Sequence, residues 1–396
     1  MFSRRTDWQL APNAFSRALE KHRAAGRELL DLSASNPTQI GLHYNSNAIL
    51  KSLLDPRALQ YHPDAQGLPV ARSAVVDYYR ERGASVPASH LVLTTSTSEG
   101  YSFVFRLLCE PGDEVLVASP SYPLFDFLAG LQDVKLRSYP LFYDHGWHID
   151  LHALKAALTE RTRAVLVVNP NNPTGSYVKA DDIEGLNALC AERELALVAD
   201  EVFLDFAHDG ALHPSLVDPI MRSPDQPLAL TFTLSGLSKI AGLPQMKFAW
   251  IAVSGPPELV ETAMARLEVI ADTYLSLNIP VQLAAPRLFD QRQDFQCQLM
   301  ERIHTNLAEL KRQLATQKVC SRLQIEGGWY AVLRVPATRS DEQLAIELLE
   351  EKSVLVHPGH FYDFPSDGYL VLSLITPERE FKDGLWRALE FVIANL

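Results

Sequence analysis

The 396-residue chain has only four cysteines, Cys109, Cys190, Cys297 and Cys320, too dispersed to form a CxxC pair. That spacing carries no zinc or dithiol redox signature and leaves isolated thiols, as in a reducing compartment. No metal centre is expected. No stretch runs long enough without charge to cross a bilayer. The opening MFSRRTDWQLAPNAF has two arginines but lacks the apolar segment of a secretory signal. Positive charge is also short, with 36 Lys and Arg against 48 Asp and Glu, and the net charge of -12 repels nucleic-acid phosphates and anionic membranes. A cytoplasmic protein with neither as partner is the expectation. Repeats, low-complexity blocks and long charge runs are missing as well. What is present, 47% hydrophobic and 21% charged residues, describes a folded globular chain. Its length exceeds that of most single cores, so two packed subdomains are expected.

Between residues 61 and 254, apolar runs alternate with helical stretches: LVLTTS, DEVLVASP, VKLRSYPL, RAVLVVNP, LALVADEVF, LALTFTLS and KFAWIAVS. This is an α/β pattern. Several runs are nearly continuous in Val, Leu and Ala, as in parallel strands buried on both faces. The sequence predicts a mostly parallel seven-stranded sheet between helices. A helical pattern follows from Pro256 towards Thr273, and another continues from Pro280 to about Gln317. The last 110 or so residues read as a smaller α+β layer, with short strands in LQIEGGWYAVLRVP, SVLVHPGHFY and YLVLSLI. Residues 1–45 lack a core of their own. The expected division is a large domain over 46–285 and a discontinuous small domain over 1–45 and 286–396.

The chemistry-bearing residues fall at the ends of these strands, where open α/β sheets bind ligands. In TFTLSGLSKIAGLPQMKFAW, residues 231–250, a strand ends in small and hydroxyl residues and meets Lys239. A desolvated lysine there has a lowered pKa and attacks aldehydes, whereas a solvated loop lysine has no such role. In TTSTSEG, residues 94–100, free backbone N–H groups and the helix dipole make an anion site to which Ser96, Thr97 and Ser98 can add hydroxyls; a plain capping run reads the same way. The run VNPNNPTG, residues 168–175, is a turn on local chemistry alone. LALVAD ends in a carboxylate, Asp200, which is either a site residue or a cap for the next turn.

Taken in order, these segments resemble class I/II aminotransferases, pyridoxal-phosphate (PLP) enzymes of fold type I akin to aspartate aminotransferase. The resemblance spans nearly the whole chain. It implies that Lys239 holds the cofactor as a Schiff base and then serves as general base and acid, and that Asp200 keeps the pyridine nitrogen protonated. It further implies that Asn172 bonds the 3-oxygen, that Tyr122 in PSYP stacks on the ring, and that Tyr61, Ser96, Thr97, Ser98, Ser238 and Lys247 hold the phosphate. LDLSASNP, residues 30–37, resembles the arm that closes over the site and makes Asn36 a candidate substrate contact. Tyr61 with Gly67 matches a signature whose tyrosine reaches the neighbouring subunit's phosphate, which implies a homodimer with shared sites. The small-molecule partners are an amino donor and a keto acceptor.

Four departures accompany the match. Phe203 stands where the family usually has a tyrosine donating to the 3-oxygen, so the protonated Schiff base is expected to persist to higher pH. Lys247 replaces an arginine, losing its fork, and Gly236 replaces a phosphate-binding serine for which Ser235 or Ser238 could compensate. In GYLVLSL, residues 368–374, Val371 aligns with the arginine for the substrate α-carboxylate. Either the substrate lacks that carboxylate, or a group such as Arg334 or His360 meets it. An aminotransferase with atypical substrate recognition is the leading reading. A PLP lyase, decarboxylase or racemase, which exploits the same carbanion, is the second. A non-catalytic PLP-binding regulator is the third; the chain begins almost at the arm, which leaves little room for a fused DNA-binding module.

Overall fold

The computed structural model describes residues 1–218 and 227–396. After β1 (Leu30–Asp31) come the strands of the main sheet: β2 (Leu91–Thr94), β3 (Glu114–Ser119), β4 (Lys135–Tyr143), β5 (Trp147–Ile149), β6 (Thr162–Val168), β7 (Ala196–Asp200), β8 (Thr231–Gly236) and β9 (Ala249–Ser254). Their spatial order is β2-β9-β8-β7-β6-β3-β4-β5. Strands β4, β3, β6, β7 and β8 are parallel, β9 is antiparallel to both of its neighbours, and β5 folds back along β4. Each of the seven apolar runs supplies a strand. The eighth, β5, is three residues long, too short to show a run of its own.

Every residue of β7, β8 and β9 is buried, which is why these strands read as continuous Val, Ala and Leu rather than as alternation. The Thr97–Leu108 helix lies against this sheet through Gly100, where a Cβ would come within 2.9 Å of the Leu234 side chain. A larger residue there would require the Leu234 side chain to move. The close approach brings the helix N-terminus to the carboxyl end of the parallel strands.

The C-terminal part contributes β10 (Ser321–Arg322), β11 (Tyr330–Arg334), β12 (Val354–Leu355), β13 (His357–Pro358) and β14 (Tyr369–Ser373). Four of them form a sheet in the order β10-β11-β14-β13, and β12 pairs in parallel with β1. The N-terminal segment therefore shares a core with this layer: Phe15, Leu30, Leu32 and Ile40 pack in one cluster with Leu299, Trp329, Leu344 and Phe381. The helical pattern after Pro280 divides in two, Ile279–Asp290 and Arg292–Leu314. At Gln291 the backbone N–H bonds Leu288 O in a tighter i→i+3 turn, and Pro286 one turn earlier has no N–H to give. Among the described residues no helix is long and apolar enough to cross a membrane.

Candidate active site

A cavity of about 310 Å³ opens at the carboxyl end of the parallel strands, lined by Thr97, Tyr122, Asn172, Asp200, Phe203, Ser238 and Lys239, with Tyr330, His357 and Tyr362 on the other side. The first group comes from consecutive strand ends. Thr97 follows β2, Tyr122 follows β3, Asn172 follows β6, Asp200 ends β7, and Ser238 and Lys239 lie in the short Leu237–Ile240 helix after β8.

Lys239 points its ammonium at an aromatic wall, 4.9 Å from the Trp329 ring centre and 5.6 Å from that of Phe203. Burial lowers its pKa to about 8, against an opposing pull from the Asp200 carboxylate. A usable fraction of the amine is therefore unprotonated near neutrality, as nucleophilic attack on an aldehyde requires. Asp200 is itself buried, and burial pushes its pKa up. Two donors resist that: the Tyr101 hydroxyl gives a 2.7 Å hydrogen bond to Oδ2, and the Val202 N–H bonds Oδ1 at 3.1 Å. They help to keep a carboxylate charged inside the fold, where it can pair with a protonated ring nitrogen.

Asn172 is buried, and its Oδ1 has no hydrogen-bond partner, an unpaired polar atom facing the cavity that a ligand would satisfy. The turn carrying it is clamped from outside. Gly175 has φ +69°, its carbonyl accepts from the Glu326 and Gly327 N–H groups, and any Cβ would collide with the Gly327 carbonyl. At the Thr97–Leu108 helix, Ser96 is the N-cap and accepts from Glu99 N–H at 3.2 Å, while the Glu99 carboxylate accepts from Thr95 N–H at 2.7 Å. This reciprocal cap occupies the Ser96 hydroxyl and leaves Thr97 at the cavity, at a helix terminus suited to an anion. Ser98 is exposed and outside the lining.

The remaining sequence candidates lie elsewhere on the chain. Tyr61 is 74% exposed in a separate groove with Leu59, Phe103 and Leu275. Lys247 is exposed with φ +52°, and His360 and Asn36 are exposed too, Asn36 bonding Thr38 N–H at 3.0 Å. Arg334 is exposed at the end of β11. Ser235 is buried and donates to the Glu201 carbonyl at 3.4 Å, so of the two serines near Gly236 only Ser238 lines the cavity. Gly236 has a packing reason of its own: a Cβ there would lie 2.8 Å from that of Ala249, its cross-strand partner. A serine at 236 would push β8 and β9 apart.

Phe203 packs edge-on to Trp329 at 5.2 Å and near Tyr330 at 6.4 Å, filling with ring what the family fills with a phenol. The sequence reading missed Tyr101, Tyr330, His357 and Tyr362. Tyr101 was accessible to it, since it lies one helical turn after Thr97 and so shares its face. The donor set, a nucleophilic lysine, a buried carboxylate, an unpaired asparagine and a helix N-terminus around one cavity, fits an aldehyde cofactor bearing a pyridine ring and a phosphate.

The comparisons with known proteins agree with that fit. The family model described as aminotransferase class I and II matches residues 27–379. The alanine aminotransferase of Mycobacterium tuberculosis is 29% identical over 386 residues, covering 94% of this chain and 87% of that protein. The glutamate-pyruvate aminotransferase AlaA of Haemophilus influenzae is 27% identical over 359 residues, 88% of this chain and 87% of its own. Among solved structures, the Pyrococcus furiosus alanine aminotransferase superposes with a TM-score of 0.88 at 22% identity over 100% of both chains, which speaks to the fold. The chain belongs to the class I and II aminotransferase family and is a pyridoxal-phosphate-dependent aminotransferase.

Proposed function

We propose that Lys239 is the catalytic lysine of an aminotransferase whose donors and acceptors are small amino acids and their keto acids, of the alanine, pyruvate and glutamate kind. The observation that carries it is the buried Lys239 amine, with its lowered pKa, facing Asp200 across a cavity of small-molecule size. The substrate range follows the names of the two curated relatives. When bound, the cofactor supplies an aldehyde for amine exchange and a conjugated ring that withdraws electrons from the substrate's α-carbon. Asp200, held in place by the Tyr101 hydroxyl and the Val202 N–H, would bind the ring nitrogen. Asn172 would bond the ring's oxygen and Tyr122 would cover a ring face. Thr97 and Ser238 would hold the phosphate, with Ser96 shaping the helix terminus and Ser98 and Lys247 reaching it only through water or a local shift. Lys239 would take a proton from the substrate's α-carbon and return it to the carbon on the far side of the bridging nitrogen, a role for which its position and lowered pKa suit it.

A homodimer completes this reading. Leu54, Leu59 and Tyr61 are 78%, 91% and 74% exposed, an apolar surface that pairing of two subunits would cover and that would carry Tyr61 to the partner's phosphate site. The shared core of residues 15–40 with the C-terminal layer supports a large domain over 46–285 and a small domain from both ends of the chain. Cytoplasmic residence accords with the four cysteines, which form no disulfide among the described residues. The direct test is the cofactor spectrum during a half-reaction. With alanine or glutamate the wild type should convert the cofactor to its amine form, and Lys239→Ala should not. Retained conversion in that variant would refute the assignment.

A further inference from the structure

The wall opposite Lys239 shows how the substrate is held. In the antiparallel ladder Val371 on β14 pairs with Val332 on β11 and with His357 on β13, and Tyr330 pairs with Ser373. Directly opposed residues project to the same face, and so do residues two apart along a strand. Tyr330, Val332, Val371, Ser373 and His357 therefore share one face of the small sheet. Two of them, Tyr330 and His357, line the cavity. Position 371 is on the right face to reach it and carries a valine, 1% exposed, that fills core. Among the described residues the lining includes no arginine, and Lys239 is its single cation.

His357 is a polar group on that face with capacity to spare. Its Nδ1 lies 3.0 Å from the Tyr362 hydroxyl. Burial pushes the Tyr362 pKa well above the ordinary phenol range and pushes that of His357 down, so both are neutral in neutral solution. With the Tyr362 phenol donating to Nδ1, the imidazole proton sits on Nε2. Nε2 has no hydrogen-bond partner among the described residues.

We propose that the His357–Tyr362 pair receives the substrate's carboxylate, with the imidazole Nε2–H as donor, in the position across the sheet from Val371 where a cation is missing. Ser35 also lines the cavity. A single neutral donor binds a carboxylate less tightly than a guanidinium fork does, and it also tolerates substrates whose polar end is uncharged. The site thus selects small amino acids by a hydrogen bond within an aromatic enclosure of Tyr122, Tyr330 and Tyr362. This inference rests on Lys239 being the cofactor lysine.

The test uses the cofactor-loaded enzyme in its aldehyde form and pyruvate, which binds that form without reacting. Calorimetry gives the Kd for wild type, His357→Leu, His357→Gln and Tyr362→Phe. The leucine variant should weaken pyruvate by about 10- to 100-fold, the loss of one hydrogen bond to a charged group. The glutamine variant, which keeps a donor, should fall between, and Tyr362→Phe should weaken binding several-fold. The cofactor absorbance should stay as in wild type. In turnover the KM for alanine should rise with little change in kcat, as loss of uniform binding requires. Wild-type pyruvate affinity in both His357→Leu and Tyr362→Phe would overturn the proposal while leaving Lys239 untouched. If the leucine variant does not fold, unchanged affinity in His357→Gln and Tyr362→Phe together overturns it. A wild-type chain that binds no cofactor covalently overturns the Lys239 assignment and this inference with it.

Discussion

Replacing Lys239 with methionine should stabilise the cofactor-free protein while abolishing its activity. The lysine's pKa falls from the usual 10.5 to about 8, chiefly through burial. Between those values the unfolded chain binds a proton that the native one does not, so native stability rises with pH across that window, and below pH 8 the full penalty of an ammonium in the cavity is present. At 1.36 kcal/mol per pH unit the fall corresponds to about 3 kcal/mol. The side chain lines an open cavity, so solvent screens part of this, and about 2 kcal/mol is the expected gain for Lys239→Met at pH 7. Methionine nearly matches the lysine stem in volume and packs its thioether against the Phe203 and Trp329 rings that now face Nζ. Urea unfolding of the two stripped proteins measures the difference. It should shrink as pH rises above 8 and vanish near 10.5. A gain independent of pH would mean that packing, not desolvation of the charge, sets the cost, and a loss at pH 7 would refute the reasoning outright.

Three further outcomes follow from neighbouring contacts. Tyr101→Phe removes one of the two donors to Asp200 and should weaken PLP retention by about 10- to 100-fold, read by equilibrium dialysis, because a hydrogen bond to a buried charge contributes about 1.5–3 kcal/mol. Asp200 has a raised pKa, and the substitution raises it further, so the cofactor-free variant should lose stability relative to wild type as pH climbs above the usual carboxylate range. Gly175→Ala combines a positive φ with a collision against the Gly327 carbonyl and should cost more than about 1 kcal/mol in thermal or urea unfolding, with Asn172 misplaced and PLP binding weakened. Phe203→Tyr should shift the cofactor's pH-dependent absorbance transition to lower pH, because a phenol donor favours the ring's negative oxygen. An unmoved transition would mean that residue 203, packed against Trp329 and Tyr330, does not reach that oxygen.

The two walls of the cavity differ in how far the sequence discloses them. Lys239, Asp200, Asn172, Tyr122 and Thr97 each follow a buried strand within a few residues, and a parallel sheet brings the carboxyl ends of its strands to one edge. Strand order along the chain then suffices to gather them, so local pattern finds that half. Tyr330, His357 and Tyr362 come from short strands and a 3-10 turn whose register decides which side chains face in. A shift of one residue in β13 would turn His357 away and Pro358 inward. SVLVHPGHFY reads equally well with His360 as the candidate, and the two are separated by the pairing of His357 with Val371, which turns His357 to the cavity while His360 stays exposed. That pairing also gives the valine at 371 a structural meaning. Alone it reads as a missing arginine; beside His357, whose Nδ1 is engaged by Tyr362, it is the apolar half of a rebuilt contact. Two of the four departures have physical causes of this kind, Gly236 in the β8–β9 contact and Val371 in the small-sheet core. On the proposed roles of His357 and Lys239, substrate selection would follow from the small sheet's register, and cofactor chemistry from the large sheet's strand ends.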